Sequence, residues 1–371
     1  MEYRTLGRTG LEVSAISLGT EHLLDLPPDH VASVIHAALD HGINYFDLFW
    51  AHPEFRDMMG AAFKGHRHRA LLAAHLGAAM EGNQYVRTRD KKLAEQYFHD
   101  FLTRYETDYV DVLFLHNCDT EEDLDTLMSP GGLMDMAQRY QLQGKTRYIG
   151  FSGHTASIAQ EVATTGYVDV IMFPINLVGH AIPGRNEFMR ACVTHNIGLV
   201  GMKPYAGGTL LRPDRTLSME HWQSGGQDVE LNKSVAITPV QCLSYSLEQP
   251  GVSTLVPGCR SLEELDAALA YFTATPEEKS FVHILKDFEH YTTGECVYCN
   301  HCLPCPAEID IARVMRLLDS SKPVLGLEVA MEYRGLAANG SDCIKCGACE
   351  ERCPFDVPVM ERMDEVAGRI R

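Results

Sequence analysis

The sequence lacks any uninterrupted apolar run of the roughly 18–20 residues that a membrane-spanning helix needs. It also lacks a cluster of Lys or Arg. Its 50 acidic residues outnumber 32 basic ones and give a formal net charge of −18. Its first residues, MEYRTLGRTG, lack the apolar core of a signal peptide. Without a membrane span or a signal peptide, we expect a cytoplasmic protein. Acidic surfaces repel phosphate backbones and anionic lipids, so we expect its partners to include no nucleic acid and no membrane.

A glycine-rich G-x-G-x-x-G turn is also absent after the first apolar run, which argues against an open dinucleotide-binding sheet. Instead, short β-rich runs alternate with stretches of helical spacing such as residues 29–40, 91–104 and 186–195. Eight repeats of this kind favour a closed (β/α)8 TIM barrel, although periodicity alone leaves an open sheet as the alternative. The eight runs cover residues 13–19, 45–50, 70–76, 111–116, 147–152, 169–176, 198–204 and 252–257.

The composition changes near the end of this alternating pattern and predicts three segments. Residues 1–275 form the predicted barrel, residues 276–292 a connecting helix, and residues 293–371 a small α-helical ferredoxin-like domain rich in Cys, Pro and Gly. The polar residues 213–232 are predicted to form a loop over the barrel mouth, after the seventh strand.

Eight of the 12 cysteines lie between residues 296 and 353, and their spacing is typical of metal binding. Cys343, Cys346, Cys349 and Cys353 follow the ferredoxin pattern of two, two and three intervening residues, with Pro354 next. In that pattern three cysteines hold one [4Fe–4S] cluster and the fourth reaches the neighbouring cluster. The remaining cysteines are scattered along the predicted barrel.

A partner run of cysteines precedes the ferredoxin run, although its last gap is one residue shorter than usual. The crossed pattern assigns Cys296, Cys299, Cys302 and Cys353 to one cluster and Cys343, Cys346, Cys349 and Cys305 to the other. Zinc is the alternative, but it seldom uses this spacing. We therefore predict two 4Fe–4S clusters in an oxygen-sensitive, anaerobic protein, either as an electron path or in a structural role.

Six stretches of the barrel resemble the aldo/keto reductase family, in particular its iron–sulfur branch. They are residues 3–10, 42–47, 108–116, 144–152, 202–210 and 256–258. The resemblance implies NAD(P)H-dependent reduction of a carbonyl group by a tetrad of Asp, Tyr, Lys and His, on a small carbonyl, hydroxyl or sugar-like substrate. In that tetrad, Tyr protonates the forming alkoxide while Lys and Asp lower its pKa.

The tetrad is incomplete in this sequence. Asp47 and His116 stand at the family's Asp and His positions, whereas His52 replaces the Tyr and His75 replaces the Lys. Ordinary carbonyl reductase chemistry is therefore in doubt, and we expect a non-standard catalytic set of Asp47, His52, His75 and His116.

The resemblance also assigns nucleotide-binding positions, and several of these depart from the family pattern. The candidates for cofactor binding are Ser152, Asn176, Lys203, Gly258 and Arg260. His154 stands close to the position of the usual asparagine, and Glu264 is expected to disfavour a 2′-phosphate. NAD(P) is therefore a candidate cofactor.

Two active hypotheses explain three histidines at the mouth of a barrel, and the alternative to both is that each is an ordinary polar residue at a strand end. They form a proton-transfer group in which Asp47 holds His75 as an imidazolium and His52 is the acid or base. Alternatively, His52, His75 and His116 bind a divalent metal such as Zn²⁺ or Fe²⁺, which polarises a substrate oxygen. Glu21, His22 and Cys118 are expected on the same face, and His180 is a further candidate.

We therefore predict an oxidoreductase that acts on a small-molecule substrate, with electrons relayed through two clusters and exchanged with a ferredoxin-like partner. A non-redox lyase or hydratase that uses the three histidines is the alternative, with clusters that are structural or sensing. A third hypothesis is a redox sensor or electron carrier without catalysis.

Overall fold

The structure is a computed structural model that describes residues 1–177, 184–211, 223–224, 227–228, 237–281, 296, 302–321, 325–353 and 356–370. It divides into two compact units. The first comprises Met1–Ala79 and Arg87–Tyr291, and the second comprises Met80–Val86 and Thr292–Arg371. No helix among the described residues is long and apolar enough to cross a membrane.

The strands follow one another along the chain as short segments of two to seven residues. They are β1 (Tyr3–Thr5), β2 (Glu12–Ser14), β3 (Leu18–Gly19), β4 (Tyr45–Leu48), β5 (Leu71–Leu76), β6 (Ala78–Glu81), β7 (Gln84–Arg87), β8 (Val110–Leu115), β9 (Thr146–Ser152), β10 (Val170–Pro174), β11 (Gly198–Met202), β12 (Gln223–Ser224), β13 (Gln227–Asp228) and β14 (Val252–Val256).

Eight of these strands form one parallel sheet, in the order β3, β4, β5, β8, β9, β10, β11 and β14. Parallel bridges from Ile16 to Leu255 and from Gly19 to Gly258 bring the two edge strands together. The predicted (β/α)8 barrel is therefore confirmed. The carboxyl ends of all eight strands lie at one face, where this fold carries its active sites.

Most helices of the first unit connect successive strands of the barrel, and the last two follow its last strand. They are α1 (Pro28–Asp40), α2 (Pro53–Phe63), α3 (Lys91–Arg104), α4 (Glu121–Met128), α5 (Leu133–Leu142), α6 (Ala156–Thr165), α7 (Arg185–Thr194), α8 (Pro239–Leu247), α9 (Leu262–Leu269) and α10 (Pro276–Lys279). The three predicted amphipathic stretches correspond to α1, α3 and α7. Beyond residue 281, the predicted connecting helix lies outside the described residues, as do most of the predicted loop at residues 213–232 and all of residues 178–183.

Seven of the eight predicted strands agree with the structure to within two residues at each end. The prediction of a single first strand over residues 13–19 was wrong. Residues 12–14 instead form β2, which pairs with β1 in an antiparallel hairpin, and only Leu18–Gly19 joins the barrel sheet. The alternation of apolar residues continues across both segments, so periodicity could not separate them.

The β1–β2 hairpin packs against the interior of the barrel at the amino-terminal ends of its strands. Leu6, Leu11 and Val13 belong to the same buried cluster as Tyr45 and other barrel-interior side chains. Gly7 has a φ of +50°, and a Cβ there would overlap the backbone of Gly198, the first residue of β11. Glycine is therefore required at this contact.

The second unit contains four described helices and its own buried core. The helices are α11 (Ile311–Ser320), α12 (Leu327–Arg334), α13 (Ala348–Glu351) and α14 (Val359–Arg369). Val314, Met315, Leu318 and Val366 are among the fully buried apolar side chains of that core. The bounds predicted for the three sequence segments stay a prediction.

Candidate active site and cluster site

Three of the four predicted catalytic residues meet at the carboxyl ends of neighbouring strands. Asp47 lies in β4, His75 lies in β5, and His116 directly follows β8. Parallel pairing of β4 with β5, and of β5 with β8, places the three residues side by side. Each is buried, with 6–7% of its surface exposed.

Two hydrogen bonds connect these residues, which we call the first triad. His75 Nε2 lies 2.8 Å from Asp47 Oδ1, and His75 Nδ1 lies 2.8 Å from His116 Nδ1. The two imidazole rings are nearly perpendicular, with centroids 4.9 Å apart. Each of the two hydrogen bonds has one proton between its two heavy atoms. The protonation of one residue therefore determines which nitrogen of the next ring is the donor.

Aromatic rings surround the first triad. Phe49 stacks on His116 with ring centroids 6.0 Å apart, and it also contacts His75 and Trp50. The indole N–H of Trp50 donates to the carbonyl of Glu21 at 3.0 Å. These rings lower the local dielectric constant and so strengthen the hydrogen bonds of the triad.

Arg56 fixes the segment that carries these rings. Its guanidinium is buried and donates to the Trp50 carbonyl, the Tyr97 carbonyl and the Asp100 carboxylate, at 2.7–2.9 Å. Burial lowers the pKa of Arg56, although the hydrogen bond that it donates to Asp100 acts in the opposite direction. The sequence analysis missed this residue, because nothing in the pattern marks one arginine on an amphipathic helix as buried.

His52, the fourth predicted catalytic residue, lies at the N-terminal cap of α2. It is half-buried, and its ring contacts the indole of Trp50 at a centroid distance of 5.2 Å in an edge-to-face arrangement. No hydrogen bond from its side chain caps the helix. Its predicted catalytic role stays a prediction.

A second group of polar residues lies at the ends of β8, β9 and β11, and we call it the second triad. Lys203 Nζ lies 2.9 Å from His154 Nε2, and His154 Nδ1 lies 3.5 Å from Asp119 Oδ2. Asp119 also accepts hydrogen bonds from the backbone N–H groups of His154 and Thr155. The sequence analysis named Lys203 and His154 separately but missed Asp119, which connects to them only through the fold.

The predicted nucleotide residues Ser152, Asn176 and Lys203 all lie at strand ends on this same face. The Ser152 hydroxyl accepts from the backbone N–H of Asn117 at 2.9 Å. The Asn176 side chain donates to the Lys203 carbonyl at 2.9 Å and so holds a residue whose φ is +54°. A left-handed backbone at a residue other than glycine is uncommon and clusters at functional sites.

The predicted phosphate loop follows β14. Gly258 packs so closely against the ring of His22 that a Cβ there would overlap it. The backbone N–H of Arg260 donates to the Glu264 carboxylate at 2.7 Å, and the Arg260 side chain is exposed. Glu263 and Glu264 occupy the first turn of α9. A carboxylate therefore already lies where the helix N-terminus would otherwise attract a phosphate.

Four cysteines of the predicted second cluster line one cavity in the second unit. Its walls include Cys305, Cys343, Cys346 and Cys349, together with Cys302. Cys305 and Cys349 are buried, whereas Cys346 is exposed. No three His, Cys, Asp or Glu side chains of the described residues are arranged to hold a metal ion. Four thiolates around a cubane lie farther apart than ligands of one ion, so the cavity fits a cluster better than zinc.

Three cysteines of the predicted first cluster are also described, and all three pack against the core of the second unit. These are Cys296, Cys302 and Cys353. Cys299 and Pro354, like His180 of the first unit, lie outside the described residues. Cys118, Cys192, Cys242 and Cys259 are buried free thiols in the first unit.

Two comparisons with known families cover most of the chain. Residues 15–288 match the Aldo/keto reductase family, and residues 339–359 match a 4Fe-4S binding domain. The oxidoreductase YqkF of Bacillus subtilis is 24% identical over 71% of this chain and 89% of its own length. L-galactose dehydrogenase of Arabidopsis thaliana is 24% identical over 74% of this chain and 88% of its own length.

Solved structures show the same fold. The aldo-keto reductase AKR11C1 from Bacillus halodurans, in its holo form, superposes with a TM-score of 0.61 at 22% identity. The match covers 78% of this chain and 100% of that one. At this level of identity the likeness concerns the fold, and the chemistry depends on the residues at the mouth of the barrel.

Proposed function

The chain belongs to the aldo/keto reductase family and is an oxidoreductase, and from this premise we propose how it works. It interconverts a carbonyl and a hydroxyl group of a small, sugar-like molecule, the first triad moves the proton, and two 4Fe–4S clusters relay the electrons. The hydrogen-bonded order of Asp47, His75 and His116 carries the proposal. L-galactose dehydrogenase and L-glyceraldehyde 3-phosphate reductase among the relatives support a sugar-like substrate.

The two hydrogen bonds define two protonation states of the first triad. In the state with fewer protons, His75 donates from Nε2 to the Asp47 carboxylate and accepts at Nδ1 from His116. His116 Nε2 then carries the lone pair. One added proton places His75, protonated on both nitrogens, beside the negative charge of Asp47, and His116 then holds its proton on Nε2.

These two states make His116 Nε2 an acid in one direction and a base in the other. Reduction of a carbonyl takes up two electrons, which the clusters would supply, and two protons. The new O–H bond takes its proton from His116 Nε2, and the new C–H bond takes the second proton from solvent. His75 then returns a proton to His116 Nδ1. During oxidation, the same atoms accept the hydroxyl proton. Asp47 offsets the charge that His75 gains, which is the role of a carboxylate behind an imidazole in other enzymes.

The hydrogen bonds favour proton transfer over a divalent metal at the same residues. A metal needs an imidazole lone pair from each ligand, but both nitrogens of His75 already face Asp47 and His116. The metal hypothesis would require the triad to rearrange, so we propose no step that depends on it.

The residues of the second unit fit the clusters, whereas those after β14 fit a nucleotide phosphate poorly. Cys305, Cys343, Cys346 and Cys349 would hold one cluster, and Cys296, Cys299, Cys302 and Cys353 the other. Such clusters carry single electrons. The Glu264 carboxylate competes with a nucleotide phosphate, and a ferredoxin-like partner is therefore the proposed electron donor.

The test is an anaerobic titration of the purified protein with NADH and NADPH that follows both nucleotide binding and bleaching of the cluster absorbance. We expect weak nucleotide binding, full bleaching by dithionite, and carbonyl reduction by the dithionite-reduced protein. Tight nucleotide binding with bleaching would place hydride transfer in this enzyme instead. Turnover with oxidised clusters and no nucleotide would favour the non-redox lyase or hydratase.

A matched pair of variants tests the triad. His75→Gln removes the ring that connects Asp47 to His116, and we expect kcat to fall by about 10²-fold or more. His36→Asn is the control, because His36 is exposed on α1 and bonds the Ala62 carbonyl. Equal turnover of both variants, with equal iron content, would show that the first triad does not transfer the proton.

A further inference from the structure

The second triad places a lysine, a histidine and a carboxylate in series. Lys203 Nζ contacts His154 Nε2 at 2.9 Å, and His154 Nδ1 faces Asp119 Oδ2 at 3.5 Å. The side chains of His154 and Asp119 are 5% and 9% exposed, and Lys203 is half-buried. None of these residues belongs to the family tetrad that the first triad replaces.

Asp119 is held firmly enough to orient the histidine. Its Oδ1 accepts from the backbone N–H groups of His154 and Thr155, and its own carbonyl accepts from the Thr155 hydroxyl at 2.9 Å. With Oδ1 engaged in this way, Oδ2 faces His154 Nδ1. The proton of a neutral His154 therefore lies on Nδ1, and Nε2 is the acceptor for Lys203.

The backbone of Lys203 is fixed as well. Its φ of +54° lies in the left-handed region, and the Asn176 side chain donates to its carbonyl. Glycine adopts this conformation without strain, so a lysine there is strained and the surroundings must offset that strain. The structure thus holds the Lys203 side chain at a position whose backbone conformation favours glycine.

Another lysine–histidine pair in the same unit provides a comparison. Lys145 Nζ also lies 2.9 Å from a histidine nitrogen, that of His99. Lys145 directly precedes β9, so this pair lies at the amino-terminal face of the barrel, away from the strand ends that carry active sites. Its location makes it a matched control for Lys203.

The second triad shares one proton between two basic nitrogens. When that proton lies on Lys203, the triad presents an ammonium group. When it lies on His154, next to the negative charge of Asp119, Lys203 is a neutral amine and can act as a base. Both arrangements carry the same total charge, and the Asp119 carboxylate beside the ring stabilises the arrangement with the proton on His154.

We infer that Lys203 is a second proton-transfer residue, which removes a proton from the carbon next to the substrate carbonyl. The C–H bond breaks, its electron pair forms the enediolate, and the proton moves to the neutral amine of Lys203. Return of a proton from the same group restores the carbonyl compound. The step consumes no electrons, so it does not depend on the proposed redox function.

The experiment measures exchange of these carbon-bound protons with solvent. Protein with oxidised clusters and no nucleotide is incubated in D2O with dihydroxyacetone, glyceraldehyde or fructose, and deuterium incorporation is followed by proton NMR. We expect the native protein to accelerate exchange of at least one of the three above buffer, Lys203→Met to lose about 10²-fold of that rate, and Lys145→Met to retain it.

Lys203→Arg separates a base from a fixed cation. Arginine keeps the positive charge but does not lose its proton at working pH, so we expect it to exchange as slowly as Lys203→Met. If the arginine variant matches the native protein, Lys203 acts only as a cation and the inference is wrong. Absence of exchange with all three compounds would equally overturn it, whereas failure of dithionite-driven reduction alone would overturn only the proposed function.

Discussion

Asp47 lies beside an imidazole at a position where the resemblance to the family predicts a lysine ammonium. An ammonium carries its charge at one nitrogen, whereas an imidazole has two nitrogens on opposite sides of one ring. His75 therefore bonds Asp47 on one side and His116 on the other, at 2.8 Å each. In the proposed function, a path for protons therefore stands where the resemblance predicts an ion pair.

Asp47→Asn tests whether the charge of the carboxylate matters. The asparagine carbonyl can still accept from His75 Nε2–H, but it no longer offsets a positive charge on that ring. We expect kcat to fall by about 10²–10⁴-fold while the free energy of unfolding changes by less than about 1 kcal/mol. Steady-state kinetics and urea unfolding measure the two effects.

Asp40→Asn is the control for this variant, because Asp40 is an exposed residue that pairs with Arg69 on the outside of the barrel. A loss of activity in Asp47→Asn that is no larger than in the control would contradict the proposed role of Asp47.

The buried thiols of the first unit are protected by their surroundings. Burial raises the pKa of both Cys192 and Cys259 to about 12. The reactive thiolate is therefore scarce at neutral pH. We expect iodoacetamide at pH 8 to leave both unmodified in the folded protein and to modify both in urea, as measured by mass spectrometry. Rapid modification of the folded protein would show that these thiols are accessible.

The raised pKa values of these thiols also predict the direction of a pH effect on stability. The unfolded chain loses these protons near pH 9, whereas the folded chain keeps them to about pH 12. The folded state therefore binds more protons in this window. The free energy of unfolding should fall as pH rises above about 9.

At the scale of helices and strands, the site depends on where each strand ends. β4, β5, β8, β9 and β11 all end at one face, so residues far apart in sequence become neighbours there. The helices hold these ends in place through close contacts on the outside. Gly60 in α2 is one such contact, because a Cβ there would overlap the backbone carbonyl of Arg104 at the end of α3.

Gly60→Ala should force α2 and α3 apart and lower the free energy of unfolding by about 1–3 kcal/mol. Gly368→Ala is the matched control, because Gly368 also lies in a helix but has open space where the Cβ would be. There we expect no loss, or a gain of up to about 1 kcal/mol. Urea unfolding compares the two variants, and equal stabilities would contradict the predicted contact.

At the scale of the whole molecule, two compact units with separate buried cores carry different candidate sites. The first carries the proposed acid–base residues, and the second gathers cysteines around a cavity. Because each core is built from its own residues, damage to a cluster ligand should leave the barrel folded.

Cys305→Ser tests this division. By the crossed pattern Cys305 serves the cluster of Cys343, Cys346 and Cys349, so we expect the variant to lose about half of its iron and one cluster signal in electron paramagnetic resonance. Its barrel should keep the native alkylation pattern. Cys192→Ser, in the first unit, is the control and should retain all iron. Full iron retention in Cys305→Ser would contradict the crossed assignment.

From the sequence alone, the apolar periodicity and the resemblance to the family together predicted the barrel, and the cysteine spacing predicted the iron–sulfur domain. Eight apolar runs specify eight strands, because parallel strands buried on both faces must be apolar throughout. Ligand spacing specifies an iron–sulfur domain, because a cubane requires thiolates at short, regular intervals. The candidate residues Asp47, His75 and His116 came from the resemblance to the family, and they stand at positions that strand ends bring to one face.

Only the tertiary structure decided which of these residues touch. His75 bonds residues 28 and 41 positions away, and such pairs depend on strand order and side-chain rotamers that no local pattern encodes. The same is true of Asp119, which stands 35 positions from His154 and whose carboxylate faces the ring of that histidine. The split of the first predicted strand into β2 and β3 has the same origin, because pairing with β1 competes with pairing in the barrel.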